Sequence, residues 1–406
     1  MKQAALTLIA TIKNQNLEAL RVVLSQKNEM LKSALRSIGT IHYSRWVIVD
    51  ETVLDNKTLP PQLVFSSNFD GDVNQHIEDL AGALGNLADD IYTNCIDYTA
   101  NDRAGYFRKI RTREMAFYQG SPGRTVKIIG QERQLKDRIF QLKNKGDWKG
   151  KSAQFIHQSI QKEVFADPEF EWAKTNLKTP GINWIALILF GLVLLILSPI
   201  LILWALFIQV FYESRDKHGV LKPNQLNDTH LTKMQLDEDF EMQNQFSQIL
   251  NMKPGRARLI TVNALYVFTR VLIKIFFVKG KLMGIPTIHF ARWVMVNDNK
   301  RMLFFSNFDG SWTQYLGDFI DKSGWGLTGI FGNTIGFPKS LFLILKGAYD
   351  QQRFLAWSRN TQIQTQLWYT ASTAQSIKNI NNNTLIRNEL SQALSEKKAQ
   401  LFLSRI

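Results

Sequence analysis

The chain repeats itself. TIHYSRWVIV begins at Thr40 and TIHFARWVMV at Thr287, identical at seven of ten positions, and SNFDG occurs at 67–71 and again at 306–310. His42 and His289 lie 247 residues apart, Asp70 and Asp309 239 apart. Two matches in one order at nearly one spacing mark a duplicated domain, which restricts the fold more than any local pattern. The difference in spacing falls in a longer loop of the first copy, between Val49 and Leu63, which carries Pro60-Pro61.

Each copy reads in the same order. The first begins with an apolar strand over 4–12, then a helix over 17–35 with Leu17, Leu20, Leu24, Leu31 and Leu35 at helical spacing. Strands over 40–49 and 62–68, a helix over 73–92, a strand over 115–119 and a helix over 126–142 follow. The stretch 131–151 is basic and polar, a solvated helix with its loop. The second copy supplies a strand over 246–252, a helix over 257–278, strands over 287–296 and 302–306, and a last strand over 363–369. Lys13 and Lys253, 240 apart, both fall where a strand enters its helix. The order βαββαβ predicts an α+β fold of two ferredoxin-like repeats packed together. The expected division is a first repeat over 1–150, a linker over 151–181, a membrane segment over 182–212, a charged linker over 213–242 and a second repeat over 243–406.

The membrane segment is INWIALILFGLVLLILSPILILWALFIQVFY, without a charged side chain. About 20 apolar residues suffice to span a bilayer core, so this run exceeds a soluble core helix. Trp184, Trp204 and Tyr212 suit the interface. One topology is a single tilted or kinked span. The other is a hairpin turning at Ser198-Pro199, where proline removes a backbone donor. Basic residues flank both ends, Lys174 and Lys178 before, Arg215, Lys217 and Lys222 after, and this symmetry favours the hairpin. Sheet-to-sheet packing of the repeats favours it too, because it keeps both on one side of the membrane, the cytoplasmic one.

Charge points the same way. The 406 residues include 49 Lys+Arg against 35 Asp+Glu, a formal charge of +14, which favours anionic partners. Much of that charge accompanies apolar surface, so anionic membrane lipid leads and nucleic acid does not. The helix NALYVFTRVLIKIFFVKGKL carries Arg270, Lys274, Lys279 and Lys281 among Phe, Leu, Ile and Val, the pattern of an interfacial helix or of a greasy core helix. GWGLTGIFGNTIGFPKSLFLIL, with Trp325, reads as an interfacial element or as a buried loop and helix. Lys253, Arg256 and Arg258, in KPGRAR at a helix start, can receive a lipid phosphate or simply begin the helix. These six residues, Lys253, Arg256, Arg258, Arg270, Lys274 and Trp325, are the expected lipid contacts.

Chemistry is less legible. One cysteine, Cys95, excludes an intrachain disulfide, and six scattered histidines have no metal-ligand spacing. No Walker A, GxGxxG, HExxH or GxSxG motif is present. Alternation puts His42 and Trp46 on the face opposite Arg45, and His289 and Trp293 opposite Arg292. Asp70 and Asp309 either cap the helix that follows or pair at a pocket mouth, Asp70 with Arg45 and Asp309 with Arg292, making these four the catalytic candidates. Asn381-Asn382-Asn383 reads as a turn or cap.

Two ferredoxin-like units in one chain, with an Asp-Gly turn opening a helix, resemble the dimeric α+β-barrel superfamily. Its dye-decolorising peroxidases carry GxxDG on the distal side of haem; here Ser67 and Ser306 stand where that motif has its glycine, so Asp70 or Asp309 alone carries over. The resemblance implies haem as a cofactor, with His289 as the candidate ligand. The chain is also similar to a set of bacterial proteins with a TIHFARW…SNFDGSW pattern. The expected role is to handle a hydrophobic small molecule or lipid at the membrane surface. The alternatives are a peroxidase-like redox enzyme and a non-catalytic membrane scaffold.

Overall fold

Two antiparallel sheets, built from equivalent strands of the two halves, lie face to face. The computed structural model describes residues 2–220, 234, 242–278 and 280–406; most of the predicted linker over 213–242, with Lys222, and Lys279 lie outside the described residues. The chain is α+β, with several antiparallel sheets and one long apolar helix. In the first half β1 (Gln3–Thr11), β2 (Ile41–Val49) and β5 (Gln62–Asp70) pair, with Gln3 opposite Asp70 and Thr11 opposite Gln62. A small hairpin, β3 (Thr52–Leu54) and β4 (Lys57–Leu59), fills the extra loop before Pro60. In the second half β8 (Gln243–Asn251), β9 (Ile288–Val296) and β10 (Arg301–Asp309) repeat the arrangement, Gln243 opposite Asp309 and Asn251 opposite Arg301.

The last strands change sides. Residues 111–112 form β6 beside Thr7 and Leu8, then the chain crosses and β7 (Ala116–Gln119) pairs with β9 of the other half. Likewise Gln362 bridges to Gln248, after which β13 (Thr365–Thr370) pairs with β2. The orders are therefore β13-β2-β5-β1-β6 and β7-β9-β10-β8, the sheets laced together at both edges. Periodicity predicts both strands; it carries no information on which sheet receives them.

Val47, Val49, Val64, Val294, Val296, Leu303 and Phe305 fill the space between the sheets. Outside the first sheet lie α1 (Leu17–Gln26), α2 (Asn28–Ile38), α3 (Val73–Leu84), α4 (Asn86–Tyr92) and α5 (Arg103–Lys109). The predicted helix over 17–35 breaks at Lys27, and that over 73–92 breaks at Gly85, whose φ of +49° suits glycine. Within the expected linker over 151–181, α7 (Ala153–Ala166) packs with the preceding α6 (Val126–Lys145) and two C-terminal helices through Leu135, Ile160, Ile386 and Phe402.

The apolar run is one helix, α8 (Trp184–Phe211), with Pro199 inside it. This corrects the hairpin. Pro199 cannot donate to the Leu195 carbonyl, but the Ser198 hydroxyl does, at 2.7 Å, so the Ser-Pro pair satisfies the acceptor that would otherwise be orphaned. Nor does a single helix part the halves, because α8 runs antiparallel along α9 (Arg256–Ile275). The Asn183 amide donates to Ile275 O at 3.0 Å, Phe190 meets Phe268 at 5.6 Å, and Trp204 Nε1 donates to Thr261 Oγ1 at 2.9 Å. Trp204 and Tyr212 thus face α9. Trp184 stays exposed.

Beyond β10, α10 (Trp312–Phe331) and α11 (Gln351–Thr361) cover the second sheet with α9, and β11 (Ser340–Leu341) and β12 (Leu345–Lys346) form a hairpin between them. The stretch 324–345 is thus the end of a buried helix, a turn and a hairpin, with Trp325, Phe342 and Ile344 partly exposed. The chain ends in α12 (Ile377–Leu390) and α13 (Glu396–Arg405). Asn381-Asn382-Asn383 lies within α12 and is no turn, because the Ser376 hydroxyl already caps that helix by accepting from the Asn379 amide.

Candidate functional site

The repeated residues meet between the sheets. Arg45 crosses the layer and donates to Phe246 O at 2.9 Å, Ser247 Oγ at 3.0 Å, Ser306 O at 3.0 Å and the Asn307 side chain. Arg292 crosses the other way and donates to Leu6 O at 2.7 Å, Thr7 Oγ1 at 3.2 Å, Ser67 O at 2.9 Å and Asn68 Oδ1 at 3.2 Å. The arginine of each TIHxxRW motif therefore grips the Ser-Asn of the other copy's SNFDG. Phe305 lies between them, 5.5 Å from one guanidinium and 5.8 Å from the other. Burial pulls Arg45 down to about 9, with Arg292 adding to the effect, and burial pulls Arg292 to about 10.

The expected pairs Asp70–Arg45 and Asp309–Arg292 are not formed; each aspartate takes the histidine of its own copy. His42 Nε2 lies 2.9 Å from Asp70 Oδ1, and His289 Nε2 lies 2.6 Å from Asp309 Oδ1. Alternation alone would set these histidines on the face opposite the arginines. A register shift beside His42 and beside His289 turns them to the aspartates, as a bulge does. Asp70 and Asp309 do not cap the helices that follow them. Asp72 caps α3 and Ser311 caps α10, whereas the free oxygen of Asp70 accepts from the Val126 amide and that of Asp309 from Ile377, both at 2.8 Å. Gly71 and Gly310, at φ of +112° and +84°, make the turn between.

Haem does not fit here. The space beside His42 and His289 is a cavity of about 10 Å³, enough for a water at most, and the His289 Nε2 that would meet iron is held by Asp309. Among the described residues no three His, Cys, Asp or Glu side chains gather as a metal site.

The expected lipid contacts separate into two groups. Lys253 donates to Asp216 Oδ2 and to Gly332 O, each at 2.7 Å, and Arg258 grips Asp216 with 2.7 and 2.8 Å bonds. The KPGRAR turn receives its anion from the chain itself, which takes Lys253 and Arg258 out of the lipid-facing set. Lys13, the equivalent of Lys253, likewise donates to Thr93 O at 2.9 Å. Arg256, Arg270, Lys274 and Trp325 remain exposed.

Two larger clefts open where the corner strands leave β8 and β1. The first, of about 380 Å³, is lined by α2, β13 and the start of β8, with Asn28, Glu29, Lys32, Arg36, Gln366 and Trp368. The second, of about 500 Å³, is lined by α9, β7 and the start of β1, with Lys2, Glu114, Phe117, Arg270, Lys274 and Phe277. Motif searching passes over Lys2, Glu114 and Phe117 because they differ between the copies, and that difference is the signal that finds them. No family model matches the chain, and neither a curated protein nor a solved structure does.

Proposed function

We propose that the chain is a membrane-surface protein that holds a hydrophobic or lipid ligand, built as two ferredoxin-like repeats of the dimeric α+β-barrel kind with their last strands exchanged. The observation that carries this reading is the outer face of α8. Leu195, Ile196 and Leu203 are 69%, 76% and 67% exposed, while the opposite side of the helix rests on α9. Each such side chain gains roughly 1.5–3 kcal/mol on leaving water, so the face calls for an apolar cover. Ile260, Val267 and Phe276 of the second half extend the apolar surface, and Arg270 and Lys274 add the cations that favour an anionic leaflet.

In this reading α8, about 42 Å long at 1.5 Å per residue, beds into one leaflet with α9 above it, and both halves stand on the cytoplasmic side. Crossing the bilayer would pull α8 from α9 and break the Trp204–Thr261 and Asn183–Ile275 bonds. Two cysteines introduced in full-length protein, Lys178→Cys and Lys217→Cys, test it in sealed vesicles, with Cys95 buried and silent. An impermeant maleimide is expected to label both from one face of the vesicle. Labelling from opposite faces would overturn the reading. The filled layer between the sheets supports one further reading, a scaffold that brings partners to the membrane without chemistry; it predicts that no lipid binds in a defined site.

A further inference from the structure

We infer that the cleft between α9, β7 and the start of β1 binds a phosphate-bearing amphiphile, its anionic head at Lys2, Arg270 and Lys274 and its apolar part along Phe117, Ile273 and Phe277. This rests on the membrane seat proposed above. The volume, about 500 Å³, is that of a small-molecule site. Three cations line it against one carboxylate, Glu114, and among the described residues none of the three is in an ion pair. Hydrocarbon and cation thus lie side by side, an arrangement suited to a lipid head with the first part of its chain.

The chain contains its own control. The related cleft beside α2 opens at the other corner of the sheets; Asn28, Gln366, Thr370 and Gln243 line it together with Arg36 and with Lys32, which is paired with Glu29 at 3.0 Å. The two clefts occupy related places in the two halves, and the one beside α9 has three cations to the other's two and a more aliphatic and aromatic wall. That one adjoins the membrane helix: Pro180 lies at its wall, and the Asn183 amide that begins α8 is bonded to Ile275, one residue past Lys274. A tail leaving the cleft meets the apolar surface of α8 and α9.

Binding to the full chain in detergent is measured with dihexanoyl phosphatidic acid and, separately, with inorganic phosphate. One lipid per chain is expected, and phosphate alone is expected to bind at least tenfold more weakly, for want of apolar contact. Replacing Arg270→Gln with Lys274→Gln removes two cations and should weaken lipid binding about thirtyfold. Lys32→Gln with Arg36→Gln should leave it unchanged. Equal losses in the two double variants, equal affinity for phosphate and lipid, or no lipid binding would each overturn the assignment. Flotation of the same proteins on neutral phosphatidylcholine vesicles reports on the membrane seat alone. A chain that floats but binds no phosphatidic acid loses the cleft and keeps the seat; one that binds but does not float loses the seat.

Discussion

The interior of this molecule and its two corner clefts differ in how closely the two halves correspond. Between the sheets the halves remain equivalent: Arg45 and Arg292 make the same four kinds of bond, and Asp70 and Asp309 each join a histidine to a helix amide at 2.8 Å. At the corners the halves differ, one cleft richer in amides with two cations and the other with three cations and a more apolar wall. Repeated residues in this chain therefore mark what the architecture requires, and the positions that differ between the halves are where the proposed lipid site lies. A motif found twice is tempting as an active site. Here it is a reciprocal lock.

The sharpest way to break that equivalence is to remove one arginine. Arg45→Ala strips the donors from buried acceptors on β8 and β10, and a loss of about 3 kcal/mol is expected in denaturant unfolding. Arg292→Ala should cost about as much. Because the two guanidiniums repel across Phe305, each single substitution relieves that repulsion, and the double variant should lose more than the sum of the single losses. Unequal single losses, one of them near zero, would show that the two locks are not equivalent, and strict additivity would show that the two guanidiniums do not couple.

What could be read from the sequence was the frame. The duplication, the strands carrying both motifs and the apolar run all follow from identity, period and length. Partners were beyond reach. Asp70 looks the same whether it meets Arg45 or His42, since one residue of bulge decides which face the histidine takes, and no periodicity encodes a bulge. The exchange of β7 and β13 is equally silent, because a strand's alternation is satisfied in either sheet. Ser198-Pro199 misled for a chemical reason. Proline suggests a turn, but a preceding serine hydroxyl can satisfy the acceptor that proline leaves, and the helix continues.

A second comparison lies on the outer faces of the sheets. His76 stacks on Phe69 at 3.7 Å, where the second half stacks Tyr315 on Phe308 at 3.9 Å. Burial pushes His76 down to about 3 from an ordinary 6.5. The folded state thus refuses a proton that the unfolded chain accepts, so this contribution is whole above about 6.5 and is lost as pH falls toward about 3. At about pH 5 the loss is on the order of 2 kcal/mol. His76→Tyr, which copies the other half, should remove that part of the acid sensitivity in unfolding midpoints compared at neutral and mildly acid pH. Burial lowers His157 as well, so some slope should persist. A variant with the full slope of the parent would place the acid-sensitive group elsewhere.

The smallest expected effect separates a bond common to both halves from one present in the second half. Lys13 and Lys253 both donate to the last carbonyls of a helix, Thr93 O and Gly332 O, and that bond is common to the halves. Lys253 also holds Asp216, which Arg258 shares, and burial depresses the Lys253 ammonium while Asp216 acts against the shift. Lys13→Met should therefore cost about 0.5 kcal/mol, the net worth of one hydrogen bond near solvent. Lys253→Met should cost about 1 kcal/mol or more, since Asp216 keeps a single cation in a half-buried site. In the background of Asp216→Asn the two lysine substitutions should converge. If they stay apart, the excess at Lys253 comes from its packing against α9 and not from the carboxylate, and the turn that holds the end of α8 to the second half is apolar in origin.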